Sequence, residues 1–253
     1  MLREKFSLRG RTAFVTGSAR GIGRAIALGL AEFGAQVVVH GSRESAPLEE
    51  ALALVRQFDP HAQKAVADLS DPEAVEHIFD GLPATPDILV CNASIQSNMK
   101  WYDVPRETML AQMQVNFNAT FRMFQLCYPR LKAQGWGRFI SVGSVQERRP
   151  HPEMPVYSAS KSAQENLVRS IARQVASEGI TVNNLCPGVF ATDRNRDALS
   201  NPVYCEKVLK AIPMHLAAEP SDAAGAAVLL ASDAGRYITG TTLMVDGGLS
   251  LPG

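Results

Sequence analysis

Short apolar runs alternate with longer helical patterns along almost the whole of this 253-residue chain, and no other feature restricts its fold as much. Thr12–Thr16, Gln36–His40, Ala62–Ala67, Asp87–Cys91, Gly137–Val142, Thr181–Leu185 and Thr242–Val245 are brief, rich in Val, Ile, Phe or Leu, and bounded by Gly, Pro, Asp or Asn, as strands are. Gly21–Phe33, Leu48–Phe58, Pro72–Asp80, Arg106–Lys132, Val156–Glu178 and Ser221–Ser232 read as helices between them. Strands separated by helices of this length pair in parallel through crossovers. Right-handed crossovers then place helices on both faces of the sheet. The expectation is an α/β fold, a doubly wound, seven-stranded parallel sheet in one domain over residues 1–253. A hydrophobic share of 46% suffices for its core. Phe190–Pro220 fits the alternation poorly and reads either as a substrate lid around 190–220 with one or two short helices, or as a plain surface insertion.

Twenty-five basic and 25 acidic residues give a formal charge of zero. Nucleic-acid and membrane-surface binders need an excess of positive charge, so neither partner is expected. No stretch approaches the ~18 apolar residues of a membrane span, and Met1–Lys5 is followed by no apolar run of the kind a signal peptide has. Cys91, Cys127, Cys186 and Cys205 form no C-x-x-C pair and have no histidine at ligand spacing. They read as reduced structural thiols of a cytoplasmic protein without a metal site.

Gly17, Gly21 and Gly23 fall at the junction of the first strand and first helix, in a G-x-x-x-G-x-G spacing. Glycine lets a turn take positive φ and lie close to a phosphate, and the helix behind it offers unpaired N–H groups and a positive dipole end. Glycine is common in turns, but at this junction of a first βαβ unit the spacing points to a dinucleotide, as in Rossmann-type sheets. The turn residues Gly17, Ser18, Arg20, Gly21, Ile22 and Gly23 are therefore cofactor candidates. NAD-binding chains place a carboxylate at the end of the second strand. Here that strand continues His40-Gly41-Ser42-Arg43, with no carboxylate before Glu44. Arg43 and Arg20 can flank a 2′-phosphate, which favours NADP(H) over NAD(H), unless Arg43 is simply a solvated loop residue.

Tyr157 and Lys161 lie four apart at the start of a long helical pattern and so share a face. A tyrosine with a pKa near ~10 is too weak a base at neutral pH, and a fixed ammonium beside it favours the phenolate. Such a tyrosine can serve as general acid or base toward an alcohol or carbonyl. Ser144, beyond the strand Gly137–Val142, can donate a hydrogen bond to the substrate oxygen. Alone, Tyr-x-x-x-Lys is a commonplace helical pair; the cofactor turn and Ser144 lend it weight.

In order and spacing, several pieces resemble the short-chain dehydrogenase/reductase family, single-domain branch, over nearly the whole chain. They are Thr16-Gly17-x-x-x-Gly21-x-Gly23, Asp68-Leu69, Asn92-Ala93, Asn116, Ser144, Tyr157-x-x-x-Lys161, Pro187-Gly188-x-x-x-Thr192 and the ending Ile238-Thr239-Gly240 with Val245-Asp246-Gly247-Gly248. The resemblance implies Tyr157 as acid/base and Ser144 as the group positioning the substrate oxygen. It implies that Lys161 lowers the pKa of Tyr157 and holds the nicotinamide ribose, and that Asn116 holds a water relaying protons from Lys161. It implies Asp68 and Leu69 at the adenine, Asn92 and Ala93 near the adenosine ribose, and Pro187, Gly188, Val189 and Thr192 along the rest of the cofactor. It also implies a homotetramer built through the helices around Arg106–Lys132 and Val156–Glu178. The bland alternatives are a strand end for Asp68, a local backbone bond for Asn116 and a helix cap for Thr192. One piece departs from the family: Asn-Asn-Ala-Gly becomes Cys91-Asn92-Ala93-Ser94, putting a Cβ where a glycine leaves room beside the cofactor.

For the small-molecule substrate, Ser94, Gln96, Gln146, His151 and Arg194 are the candidates, a polar set suited to a hydroxyl-rich compound. Ile95-Gln96 and Val145-Gln146 resemble stretches of gluconate 5-dehydrogenase-like members of the family. The reading is an NADP(H)-dependent oxidoreductase interconverting a secondary alcohol and a ketone on a sugar, sugar acid or polyol. The alternatives are a 3-oxoacyl-carrier-protein reductase and, in another class, a non-catalytic NAD(P)-binding regulator.

Overall fold

The computed structural model describes residues 1–252, the side chains at 197 and 198 excepted. Seven strands are present: β1 Thr12–Val15, β2 Gln36–Gly41, β3 Gln63–Val66, β4 Ile88–Cys91, β5 Gly137–Val142, β6 Ile180–Pro187 and β7 Thr242–Val245. They form one sheet in the order β3-β2-β1-β4-β5-β6-β7. Every pairing is parallel. After a short N-terminal α1 (Leu2–Lys5), the connections carry α2 (Gly21–Glu32), α3 (Ala46–Val55), α4 (Pro72–Glu76), α5 (Arg106–Met113), α6 (Ala119–Gln134) and α7 (Pro155–Val175). Beyond β6 come α8 (Arg196–Ser200), α9 (Pro202–Ala211) and α10 (Asp222–Ala231).

The α/β expectation is met, because strands such as β4, β5 and β6 are buried at every position and so need helices over both faces. One apolar cluster joins Ile26 and Leu30 of α2, Leu48 and Leu52 of α3 and Val228 of α10 to the sheet. The other joins Val75 of α4, Met123 and Phe124 of α6 and Val168 of α7 to the opposite face. Fully burying a side chain of this size stabilises by about 1.5–3 kcal/mol.

From β1 the chain builds outward through β2 to β3, then crosses back to β4 on the other side of β1, so the strand order reverses between β1 and β4. The crevice at their carboxyl ends is where a sheet of this kind takes its ligand. No helix among the described residues is long and apolar enough to cross a membrane.

One element differs from the sequence reading. Arg106–Lys132 is not one helix: a π turn at Gln114–Asn118 interrupts it, and the extra residue turns Asn116 inward. The segment after Phe190 does hold two short helices, and its ends are pinned where Phe190 bridges Ala218.

Candidate active site

The first βα turn is built around close backbone approach. Gly17 and Gly21 take φ of +62° and +57°. A Cβ at Gly23 would lie 2.4 Å from Asn92 Nδ2 and 2.5 Å from the Gly17 carbonyl, so glycine is required there. Asn92 fastens this turn to the end of β4: its Nδ2 donates to the carbonyls of Thr16 (2.9 Å) and Gly17 (3.0 Å). No side chain caps the N-terminus of α2, which leaves its first-turn N–H groups for an anion. A cleft of about 850 Å³ runs past this turn, from Arg43 and Asp68 at one end to Ser144, Tyr157 and Lys161 at the other. The open helix terminus and the glycine cradle fit a dinucleotide.

The other cofactor candidates divide. Arg20, Gly21, Ile22, Arg43, Asp68, Leu69, Asn92, Ala93, Pro187 and Thr192 line the cleft. Ser18 does not: it is fully buried, its Oγ donating to the Val15 carbonyl (2.8 Å) and accepting the His40 N–H (2.8 Å). It braces the turn from behind. Gly188 and Val189 are likewise not among the lining residues, since the chain turns away after Pro187 to start the excursion. His40 was not singled out from the sequence. It is buried at the end of β2 and its Nδ1 accepts the Gly17 N–H at 3.0 Å. A polar residue closing an otherwise apolar strand was the available signal.

At the reacting end, Tyr157 stands in the first turn of α7, and Lys161 one turn later is 1% exposed. Lys161 Nζ donates to the Val142 carbonyl at 2.7 Å and lies 5.7 Å from the Tyr157 ring centre. Burial, then the Arg194 guanidinium, push its pKa down to about 8. Burial holds the Tyr157 phenol above its ordinary value, opposed by the charge of Arg194 and by hydrogen bonds with Ser144 and Ser94. The amide of Asn116 is engaged by protein, accepting the Ile95 N–H and donating to the Ile95 carbonyl (both 2.9 Å) and to Ser160 Oγ (3.0 Å). Ser160 Oγ in turn donates to the Tyr157 carbonyl at 2.7 Å. Asn116 thus braces the turn after β4 against the helix that carries the tyrosine.

Behind Ser144 lies Glu147. Its Oε1 accepts the Ser144 N–H at 3.0 Å and its Oε2 accepts from Asn184 Nδ2 at 2.8 Å. Burial pushes this carboxyl up to about 7.

Of the substrate candidates, Ser94 and Arg194 line the cleft and touch each other. Gln96, Gln146 and His151 do not line it. The Gln146 amide accepts from Ser158 Oγ (2.8 Å) and reaches Met154, and His151 Nδ1 accepts the Glu153 N–H at 3.2 Å. Both side chains serve the loop before α7.

A family model described as enoyl-(acyl carrier protein) reductase matches residues 17–250. The chain belongs to the short-chain dehydrogenase/reductase family. It is 34% identical over 252 residues to the gluconate 5-dehydrogenase of Gluconobacter oxydans, covering 97% of each chain. Among solved structures it matches a gluconate 5-dehydrogenase from Burkholderia cenocepacia in complex with NADP and tartrate, at 34% identity and TM-score 0.91 over 100% of both chains. It also matches a 3-oxoacyl (acyl-carrier-protein) reductase from Agrobacterium tumefaciens with NADP bound, at 37% identity and TM-score 0.91, over 98% of this chain and 97% of that one. As a short-chain dehydrogenase/reductase the protein is an oxidoreductase acting on CH–OH groups, which sets aside a non-catalytic regulator.

Proposed function

We propose that this protein uses NADP(H) to interconvert a secondary alcohol and a ketone on a sugar, sugar acid or polyol, with Tyr157 as acid/base. The observation that carries the reading is the meeting of Tyr157, Ser144 and Lys161 at one end of a cleft whose other part is a glycine-lined cradle. A bound nicotinamide would supply the hydride acceptor or donor. Tyr157 Oη would take the hydroxyl proton during oxidation and return it during reduction. Ser144 Oγ would hold the same substrate oxygen, its backbone fixed by Glu147. Lys161 would add a buried positive charge beneath the pair. The segment after Phe190 would act as a lid excluding water.

Arg20 and Arg43 support NADP over NAD. Both line the cleft, and among the described residues no hydrogen bond or ion pair engages the Arg43 guanidinium. Glu44, the first carboxylate after β2, is tied to Lys64 at 2.7 Å instead of facing a ribose. The relatives support the substrate class: the Gluconobacter oxydans protein and the Burkholderia cenocepacia structure are both gluconate 5-dehydrogenases. A second reading, reduction of a 3-oxoacyl thioester, draws support from the carrier-protein reductase at 37% identity. The same reading carries a homotetramer, with exposed Met109, Leu110 and Phe121 of α5 and α6 at the contact. Light scattering tests it.

The deciding experiment is an NADPH-absorbance panel of sugars, sugar acids, polyols and 3-oxoacyl thioesters, run with wild type and Tyr157→Phe. Turnover of a sugar acid or polyol, reduced at least ~100-fold in the variant, is the expected result. Turnover of thioesters alone overturns the substrate class. Equal turnover by the variant overturns the role of Tyr157.

A further inference from the structure

The strongest unassigned relationship in the molecule joins the lid segment to the one departure in the turn after β4. Arg194 Nη1 donates to Ser94 Oγ at 3.0 Å and Nη2 donates to the Ser94 carbonyl at 2.7 Å. Both acceptors are neutral, and among the described residues no carboxylate pairs with Arg194. The neighbouring Asp193 faces Arg20 and Arg196 instead. The guanidinium lies close enough to the reacting end for its charge to act on both Tyr157 and Lys161. That end therefore holds two cations, with one buried carboxyl, Glu147, on the far side of Ser144. A guanidinium fork bonded to two oxygens of one residue has the geometry it adopts on a carboxylate, where charge makes each bond stronger.

We propose that Arg194 is the specificity residue of this enzyme, exchanging Ser94 for the carboxylate of the substrate, so that hydroxy and keto acids are preferred over neutral sugars and polyols. The inference rests on the oxidoreductase reading above and narrows its substrate class. Ser94 is the resting partner: with glycine at this position the guanidinium would lose its hydroxyl acceptor and keep only the carbonyl. A neutral polyol would leave the cation with nothing better than Ser94, and would gain little from displacing it. A carboxylate replaces two neutral acceptors by two charged ones and offsets the excess of positive charge beside Tyr157.

The test is binding to the NADPH-loaded enzyme, where an alcohol substrate cannot react. D-gluconate and D-sorbitol, six-carbon chains that differ at the carboxylate, are titrated by calorimetry against wild type, Arg194→Ala, Arg194→Lys and Ser94→Gly. NADPH fluorescence and a melting curve check that each variant is folded and loaded. Gluconate is expected to bind wild type more tightly than sorbitol does. Arg194→Ala should weaken gluconate about 10- to 100-fold and sorbitol by less than about 3-fold, with Arg194→Lys between. Ser94→Gly should bind gluconate as tightly as wild type or more so. Failure of wild type to prefer gluconate, equal weakening of both ligands in Arg194→Ala, or a loss in Ser94→Gly as large as in Arg194→Ala would each overturn the proposal. None of these results touches the oxidoreductase reading, which stands or falls on turnover and on Tyr157→Phe.

Discussion

His40 Nδ1 accepts the N–H of Gly17 at 3.0 Å, while its Nε2 meets the Ala67 carbonyl at 3.0 Å. Since the Gly17 amide can only donate, the ring carries its proton on Nε2 and is neutral. One imidazole therefore ties the phosphate-side turn to the residue after β3, and burial pushes its pKa down to about 4.

This relationship predicts an acid-sensitive stability. An unfolded histidine titrates near 6.5 and this one near 4, so between those values the unfolded chain binds the extra proton. Stability contributed by the neutral ring is complete above pH 6.5 and falls as pH drops toward 4, by up to about 1.4 kcal/mol per unit. His40→Asn should melt below wild type at pH 7.5 but lose less between pH 6.5 and 4.5. Thermal melts across that range check it; parallel acid slopes would count against it.

Glu147 behaves oppositely. An unfolded carboxyl loses its proton near 4.5, whereas the folded one holds it to about 7. The folded state binds more protons between those values, so stability falls as pH rises through the window and the cost is complete above 7. Glu147→Gln removes the charge and still accepts the Ser144 N–H; its new amide nitrogen faces Asn184 Nδ2, so it donates to Asn184 Oδ1, a buried atom with no partner among the described residues, once the Asn184 amide turns over. The variant should melt about 2–6 °C above wild type at pH 8.5, with the gain vanishing by pH 5. A lower melting temperature at pH 8.5 contradicts the account.

Cofactor preference rests on Arg43. Arg43→Ala should weaken NADPH binding about 10- to 100-fold, the scale of charge-assisted hydrogen bonds, and leave NADH unchanged. Fluorescence titration of both nucleotides measures it. An unaltered ratio of the two affinities refutes the role.

Asn116→Ala removes one acceptor and two donor contacts shared by Ile95 and Ser160. Leaving such buried groups unpaired should cost about 2–3 kcal/mol in urea unfolding. Because Ser160 is bonded to the backbone of Tyr157, kcat should fall more than NADPH affinity does. A stability loss with kcat unchanged would confine Asn116 to the fold.

The sequence by itself determined the sheet, its parallel strands and the cofactor end of the cleft. Those depend on local pattern: short apolar runs alternating with helical hydrophobicity, and glycines where a chain must take positive φ or lie against another backbone, as at Gly17 and Gly23. That Ser144, Tyr157 and Lys161 meet at one cleft was legible for the same reason, as spacing along one helix and one strand end. Contacts between distant segments were not. Ser18 and His40, 22 residues apart, brace each other, and that turns Ser18 away from the cleft. Gln146 and His151, two and seven residues past Ser144, fold back onto the loop before α7. Only the tertiary structure decided that Arg194 crosses a hundred residues to Ser94, placing a second cation beside Tyr157, while Lys161 is held by the end of β5. Side-chain partners of that kind are chosen by packing across the sheet, and no local periodicity records them.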